Sequence, residues 1–397
     1  MDRRHDLDWV RILAFALLVL YHVGMYYVSW DWHVKSPHAG PALEPLMLLS
    51  SPWRLSLLFL VSGVASAFLF ERTSGREFLG TRSWRLLVPL VFGMLVVVPP
   101  QSYYEVVEKL PGGYHDGYLA FWARYLAADG GFCRDGDCLD LPTWNHLWFV
   151  AYLWVYTVVL WTLLRLAPPA PDRVQRWLDR VLSGPGVLLW PAVFLVAARM
   201  LLVARFESTH ALVDDWYNHA QYLPLFLLGW LLAHREAAWR RLEALRWPAL
   251  VIAGCCYAFI AWYFQRYAEV APPDALRLAQ RVAWGVNQWT AIAALLGFAR
   301  RLAPGDGPAR RYLTEAVFPV YILHQTIIVV AARWLRPLSL EPVLEGPLLV
   351  VLTFAVAFGA FECIRRVAPL RPLFGLRPVR RPAPEPVPVP GAPRSAG

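Results

Sequence analysis

The sequence predicts an all-α membrane protein: a polytopic bundle of about ten transmembrane helices with both termini in the cytoplasm. Three observations carry that expectation. Hydrophobic residues make up 57% of the 397-residue chain and charged residues only 17%, whereas a soluble domain is about half apolar and a quarter charged. Apolar runs of about 20 residues, the length needed to cross a bilayer, recur along the chain. Arginines collect in every second connection between those runs, the asymmetry that orients membrane proteins. Twenty Trp and seventeen Tyr also suit aromatic belts at the two interfaces.

The runs fall at 9–28, 51–70, 86–104, 146–166, 187–204, 220–233, 247–267, 278–299, 312–333 and 346–364. The first is flanked by Asp, Trp and Tyr and ends in no small-residue cleavage site, so it reads as a span and not as a removable signal. The sixth is short, and the eighth carries Arg281, Asn287 and Gln288. Each inner connection holds four arginines: Arg72, Arg76, Arg82 and Arg85, then Arg165, Arg173, Arg176 and Arg180, then Arg235, Arg240, Arg241 and Arg246, then Arg300, Arg301, Arg310 and Arg311. Topology therefore explains the net charge of +9, and no nucleic-acid partner is expected. Residues 1–376 form the transmembrane domain, and 377–397, rich in Pro, Arg and Val, a disordered cytoplasmic tail. The longest outer loop, 105–145, holds Cys133 and Cys138, on a side that in a bacterium would be oxidising. A local disulfide is expected there, with two free thiols as the alternative. Cys255, Cys256 and Cys363 lie in apolar runs and read as inert packing residues.

Titratable groups inside spans are costly and usually face a cavity. Arg11 and His22 lie eleven residues apart in the first run, about three turns and roughly 16 Å of helix, on nearly one face. A snorkelling arginine and a histidine bonded to a neighbouring helix would give the same pattern. Arg82 and Arg85, three apart and just ahead of the third run, share a face. They suit a phosphate group, each offering a bidentate fork, though positive-inside arginines would look alike. His146 sits among Trp144, Trp148 and Phe149 at the outer end of the fourth run. His324 and Gln325 stand midway through the ninth, and Glu362 near the inner end of the tenth suits an arginine partner. "WDWHVKS" places Trp32 and His33 on the outer face beside Asp31 and Lys35, either as a sugar platform or as an interfacial belt. No G-x-S-x-G elbow, metal-ligand spacing or Gly-rich phosphate loop occurs. A missing internal repeat speaks against a transporter, although buried His, Arg and Glu also suit a proton-coupled carrier. A non-catalytic scaffold would not need titratable residues on an inner face.

The Arg-x10-His pair in "LDWVRILAFALLVLYH", the Arg-x-x-Arg of "RSWRLLVPLVFGMLVVVPPQ", and "YVSWDWHVKS", "LLFLVSGVASAFLF", "NHLWFV" and "YILHQ", in that order, resemble the acyltransferase-3 family of integral membrane acyltransferases over residues 5–367. The resemblance implies a bundle that moves a succinyl or acetyl group from cytoplasmic acyl-CoA to a hydroxyl of an extracytoplasmic glycan, with acyl-CoA as co-substrate and neither cofactor nor metal. It implies His22 as the catalytic histidine, supported by Arg11, with Arg82 and Arg85 on the donor's phosphates. Trp32, His33, Ser62, His146, Trp148, His324 and Gln325 are the acceptor-side or supporting candidates, with Ser62, His324 or Gln325 as donors to a developing oxyanion. A neutral imidazole acting as general base and an acyl-histidine intermediate are both open.

Overall fold

The computed structural model describes residues 4–134, 136–166, 171–302 and 305–378. The chain opens with α1 (His5–Tyr27), a short α2 (Glu44–Leu48) and α3 (Arg54–Phe70). Next comes α4 (Gly75–Phe92), which runs through a π-helical turn at Gly93–Val97 into α5 (Pro99–Lys109). A long loop follows, with α6 (Tyr118–Leu126) and a small hairpin of β1 (Cys133–Arg134) and β2 (Asp137–Cys138). The chain then returns through α7 (Trp148–Leu166), α8 (Asp172–Ser183), α9 (Gly186–Leu202), α10 (Trp216–Leu232), α11 (Glu236–Ala244) and α12 (Arg246–Arg266). It ends with α13 (Asp274–Leu302), α14 (Pro308–Leu335), α15 (Pro342–Arg366) and α16 (Leu370–Leu373).

A helix stands at each of the ten expected runs, but they are not ten equal spans. Among the described residues seven helices are long and apolar enough to cross a membrane, and α8 with α9, bent by 92°, adds at most one more. Seventeen-residue α3 reaches about 26 Å, short of a hydrocarbon core of about 30 Å. Seventeen-residue α10 spends its first turns on Asn218, His219 and Gln221. The third span also begins earlier than its apolarity suggested. It is one path, Gly75–Lys109, so Arg82 and Arg85 stand inside α4, not ahead of a helix. Ser74 starts that helix by accepting the Glu77 N–H at 3.2 Å.

The helices sort into a centre and a periphery. Buried residues fill 61% of the apolar stretches of both α13 and α14, but only 22% of α12 and 28% of α15. With no water in a bilayer core, lipid covers the apolar faces that remain. The protein is therefore a multi-pass membrane protein. Cys255 and Cys363 follow this rule against expectation: both are exposed on outward faces of α12 and α15 and do not pack the core.

Two ends of the bundle differ in chemistry. One carries the disulfide Cys133–Cys138 and the α6 loop. The other is basic. There Arg310, 1% exposed, is clasped by Asp8 and by Asp306 at 2.7 Å. Glu362 pairs with Arg365 at 3.2 Å and Arg366 at 2.8 Å. Phe374 and Leu376 bury themselves just after α16, and Gly375, at φ +69°, lies against Phe318 and the Arg85 carbonyl. Residues 379–397 of the expected tail lie outside the described residues.

Candidate active site

Half-way along α14 the chain offers "YILHQT", and α1, the loop that follows it, α5 and the turn just before α7 converge on it. His22 of α1 places its Nδ1 2.7 Å from the Nε2 of His324, and the His324 Nδ1 lies 2.5 Å from the Tyr321 carbonyl. A carbonyl can only accept, so Nδ1 of His324 carries a proton. In a neutral ring its Nε2 must then accept, and the proton between the histidines belongs to His22 Nδ1. The chain of bonds therefore fixes His22 as the tautomer whose Nε2 bears the lone pair. His22 is partly exposed, whereas His324 is fully buried. The available nitrogen is thus on the more accessible of the two rings.

A second polar chain continues toward the disulfide end. Gln325 donates its amide to His33 Nε2 at 2.9 Å and to Gln101 Oε1 at 3.0 Å. His33 Nε2 accepts, so its Nδ1–H donates to Glu105 at 2.5 Å. Lys109 joins Glu105 at 3.1 Å to Asp31 at 2.9 Å. His146 donates from Nε2 to the Ile322 carbonyl at 3.0 Å, and its ring stands edge-on to His324, 5.1 Å between centroids. Lys35 has a different task. Its ammonium caps α1, donating to the carbonyls of Met25 at 2.7 Å and Val28 at 2.6 Å, which the helix end leaves without partners.

The π turn explains how Gln101 and Glu105 reach this place. Pro99 and Pro100 have no N–H, so the carbonyls one turn earlier lose their helical donors. Val98 instead bonds back to Gly93 at 2.8 Å. The freed Leu95 carbonyl takes Trp122 Nε1 at 2.9 Å, and the Val97 carbonyl takes the Thr326 hydroxyl at 2.7 Å. Thr326 also accepts from Gln101 at 2.6 Å. Backbone that could not face lipid is thus satisfied from α6 and α14, and the adjustment aims the first turn of α5 at the histidines.

At the basic end, Arg82 donates to Ser66 at 2.9 Å. Arg11 and Arg85 are electrostatic neighbours of Arg82, and Arg377 is a neighbour of Arg85. Among the described residues no carboxylate lies within 4.0 Å of Arg82 or Arg85. An apolar cavity of about 220 Å³ is walled by α1, α14 and α15. On α1 its wall is Ile12, Phe15, Leu18 and Val19, the residues between Arg11 and His22, and at its upper end it touches His324.

The acyltransferase-3 family, described as an acyltransferase domain, matches residues 4–362. The chain belongs to this family. Among known proteins it is similar to glucans biosynthesis protein C of Escherichia coli K12, 21% identical over 394 residues, which cover 95% of this chain and 96% of that one. The counterpart from Escherichia coli O1:K1 is 22% identical over 403 residues with the same coverage. No solved structure matches the chain.

Within this acyltransferase domain the structure gathers His22, His324, Gln325, His33 and His146 into one neighbourhood, with Trp32 buried beside His33 at 5.7 Å between rings. Arg11, Arg82 and Arg85 gather with one another at the basic end of the bundle. Ser62 and Trp148 do not join. Ser62 offers its carbonyl to the Ser66 hydroxyl at 2.8 Å, and the neighbouring Gly63 marks the crossing of α3 and α10. A Cβ there would sit 1.9 Å from the Phe226 carbonyl, and one on Gly229 2.0 Å from the Leu60 carbonyl. The "SG" signal thus belongs to a helix crossing. Trp148 stacks on His210 at 4.1 Å, beside Tyr222, in a separate nest around buried Asp215. Sequence reasoning missed Gln101, Glu105 and Tyr321. Gln101 was findable as the one amide following "VVVPP"; Tyr321 contributes a backbone carbonyl, which no side-chain motif records.

Proposed function

We propose that this protein transfers an acyl group, succinyl or acetyl, from acyl-CoA at the basic, cytoplasmic end to a glycan hydroxyl at the disulfide-bearing, extracytoplasmic end, across a bacterial inner membrane. The observation that carries the proposal is the bond chain Tyr321 carbonyl, His324, His22, which leaves a basic Nε2 on His22, the more accessible of the two rings. Arg82 and Arg85 take the phosphates of the donor, with Arg11 beside them. The pantetheine arm runs along α1, on which Arg11 and His22 stand roughly 16 Å apart.

At the thioester, His22 Nε2 removes the proton from the acceptor hydroxyl as its oxygen bonds to the carbonyl carbon. The carbon–sulfur bond then breaks, and the thiolate takes that proton from the imidazolium, giving acylated glycan and CoA thiol. General-base help of this kind contributes about 10²–10⁴-fold. His324 accepts the Nδ1–H throughout, holding the ring in register. Gln325 and His33, in the adjoining chain, face the side from which the acceptor arrives. The similarity to proteins named for glucan biosynthesis supports a glycan acceptor.

Purified protein in nanodiscs, given radiolabelled acyl-CoA and periplasmic glucan, tests this reading. Label should move to glucan with wild type and not with His22→Ala. Transfer by His22→Ala at the wild-type rate would refute it.

A further inference from the structure

Two buried guanidiniums in the bundle are treated in opposite ways. Arg310, at the basic end, is neutralised by two carboxylates. Arg54, at the opposite end and 5% exposed, has no carboxylate within 4.0 Å among the described residues. It donates to the Ser50 hydroxyl at 3.1 Å, lies 3.5 Å over the Tyr21 ring, and its buried Nε has no partner. A buried charge is costly unless it is paired and hydrogen-bonded. Arg54 is also an electrostatic neighbour of His22, where an uncompensated cation opposes the imidazolium that acyl transfer requires. Both costs vanish when an anion sits on Arg54 during the reaction.

The level of Arg54 in the bundle says which anion. On α3, Arg54 and Ser66 are twelve residues apart, about 18 Å of rise. Ser66 holds Arg82, and Arg54 holds the ring of Tyr21, next to His22. The two helices thus repeat one spacing: phosphate-binding arginines at one level, and His22 with Arg54 at the other. Phosphates seated on Arg82 and Arg85 cannot also reach Arg54. We propose that Arg54 is the donor-selecting residue, binding the free carboxylate of a dicarboxylic acyl group while the thioester carbon faces His22. This rests on the acyltransferase reading above and narrows it to donors of the succinyl class.

The test compares succinyl-CoA with butyryl-CoA, equal in chain length with a methyl in place of the carboxylate, using the full chain in nanodiscs. Charge-assisted bonds predict that wild type prefers succinyl-CoA by about 10²-fold in kcat/KM. Arg54→Gln should lower kcat/KM for succinyl-CoA by a similar factor and leave butyryl-CoA within about threefold, with Arg54→Lys between. The wild-type donor ratio needs no variant, so the proposal stays testable if Arg54→Gln fails to fold. A wild-type ratio near one overturns the Arg54 assignment, as does an equal decline with both donors, which would mark Arg54 as serving the oxyanion or the fold. A carboxylate preference that survives Arg54→Gln overturns it too. No transfer from any donor, acetyl-CoA included, overturns the acyltransferase reading instead.

Discussion

Replacing His324 with leucine removes the acceptor that holds the His22 proton on Nδ1. Among the described residues His324 is the hydrogen-bond partner of that nitrogen, at 2.7 Å, and no other is found. The His22 N–H is then a buried donor without a partner, which costs about 1–3 kcal/mol, and the ring is free to carry its proton on Nε2, where it cannot act as a base. At 1.36 kcal/mol per factor of ten, kcat should fall about 5- to 150-fold. His324→Gln offers a carboxamide oxygen near the lost Nε2 and should stay within about tenfold of wild type. His22→Ala loses the base itself and should cost about 10²–10⁴-fold. The assay is steady-state transfer of labelled acyl group to glucan, with all three variants matched for thermal stability. The order wild type, His324→Gln, His324→Leu, His22→Ala is expected. If His324→Leu works within twofold of wild type while His22→Ala is dead, the relay has no role.

Three further outcomes follow from the same geometry. Arg82→Gln with Arg85→Gln should raise the KM for acyl-CoA by about 10- to 100-fold with kcat little changed, the mark of lost ground-state binding; an unchanged KM removes both from the donor site. Gly63→Ala pushes a methyl into the Phe226 carbonyl and should destabilise the bundle by about 1–3 kcal/mol in a detergent melt, whereas Gly254→Ala, in open space, should not. Burial holds the His210 imidazole below its ordinary value of 6.5, so the unfolded chain gains that proton first as pH falls. Stability is full above about pH 6.5 and declines below it, by at most about 1.4 kcal/mol per pH unit from this group. His210→Asn, which tolerates the positive φ of 56°, should remove part of the decline between pH 7.5 and 5.5; an unchanged melting profile would contradict this.

Much of this was legible in one dimension, for definite reasons. Bilayer thickness imposes a length on apolar runs, so the long spanning helices announced themselves, while α3 and α10 were read as full spans and are shorter, and the cost of charge in lipid singled out Arg11, His22 and His324. What hid were the partners. His22 and His324 are 302 positions apart, and no periodicity says that two histidines on different spans share a proton. Nor does a pattern reveal the absence of a partner, which is what separates Arg54 from Arg310. Gln101 and Glu105 follow a proline pair that reads as a helix end, yet the π turn carries the helix on and turns them inward. Ser62 and Trp148 misled because small residues and aromatics serve helix crossings and stacking as readily as substrates.

The central claim is that His22 stands between a donor entrance at the Arg82–Arg85 end and an acceptor entrance at the Cys133–Cys138 end. Sealed vesicles of both orientations, with acyl-CoA confined to one side and glucan to the other, test it most directly. Transfer is predicted only with acyl-CoA on the Arg82–Arg85 side and glucan opposite, and none with His22→Ala in either orientation. Transfer that needs both substrates on one side, or that persists without the His22 imidazole, would contradict the account.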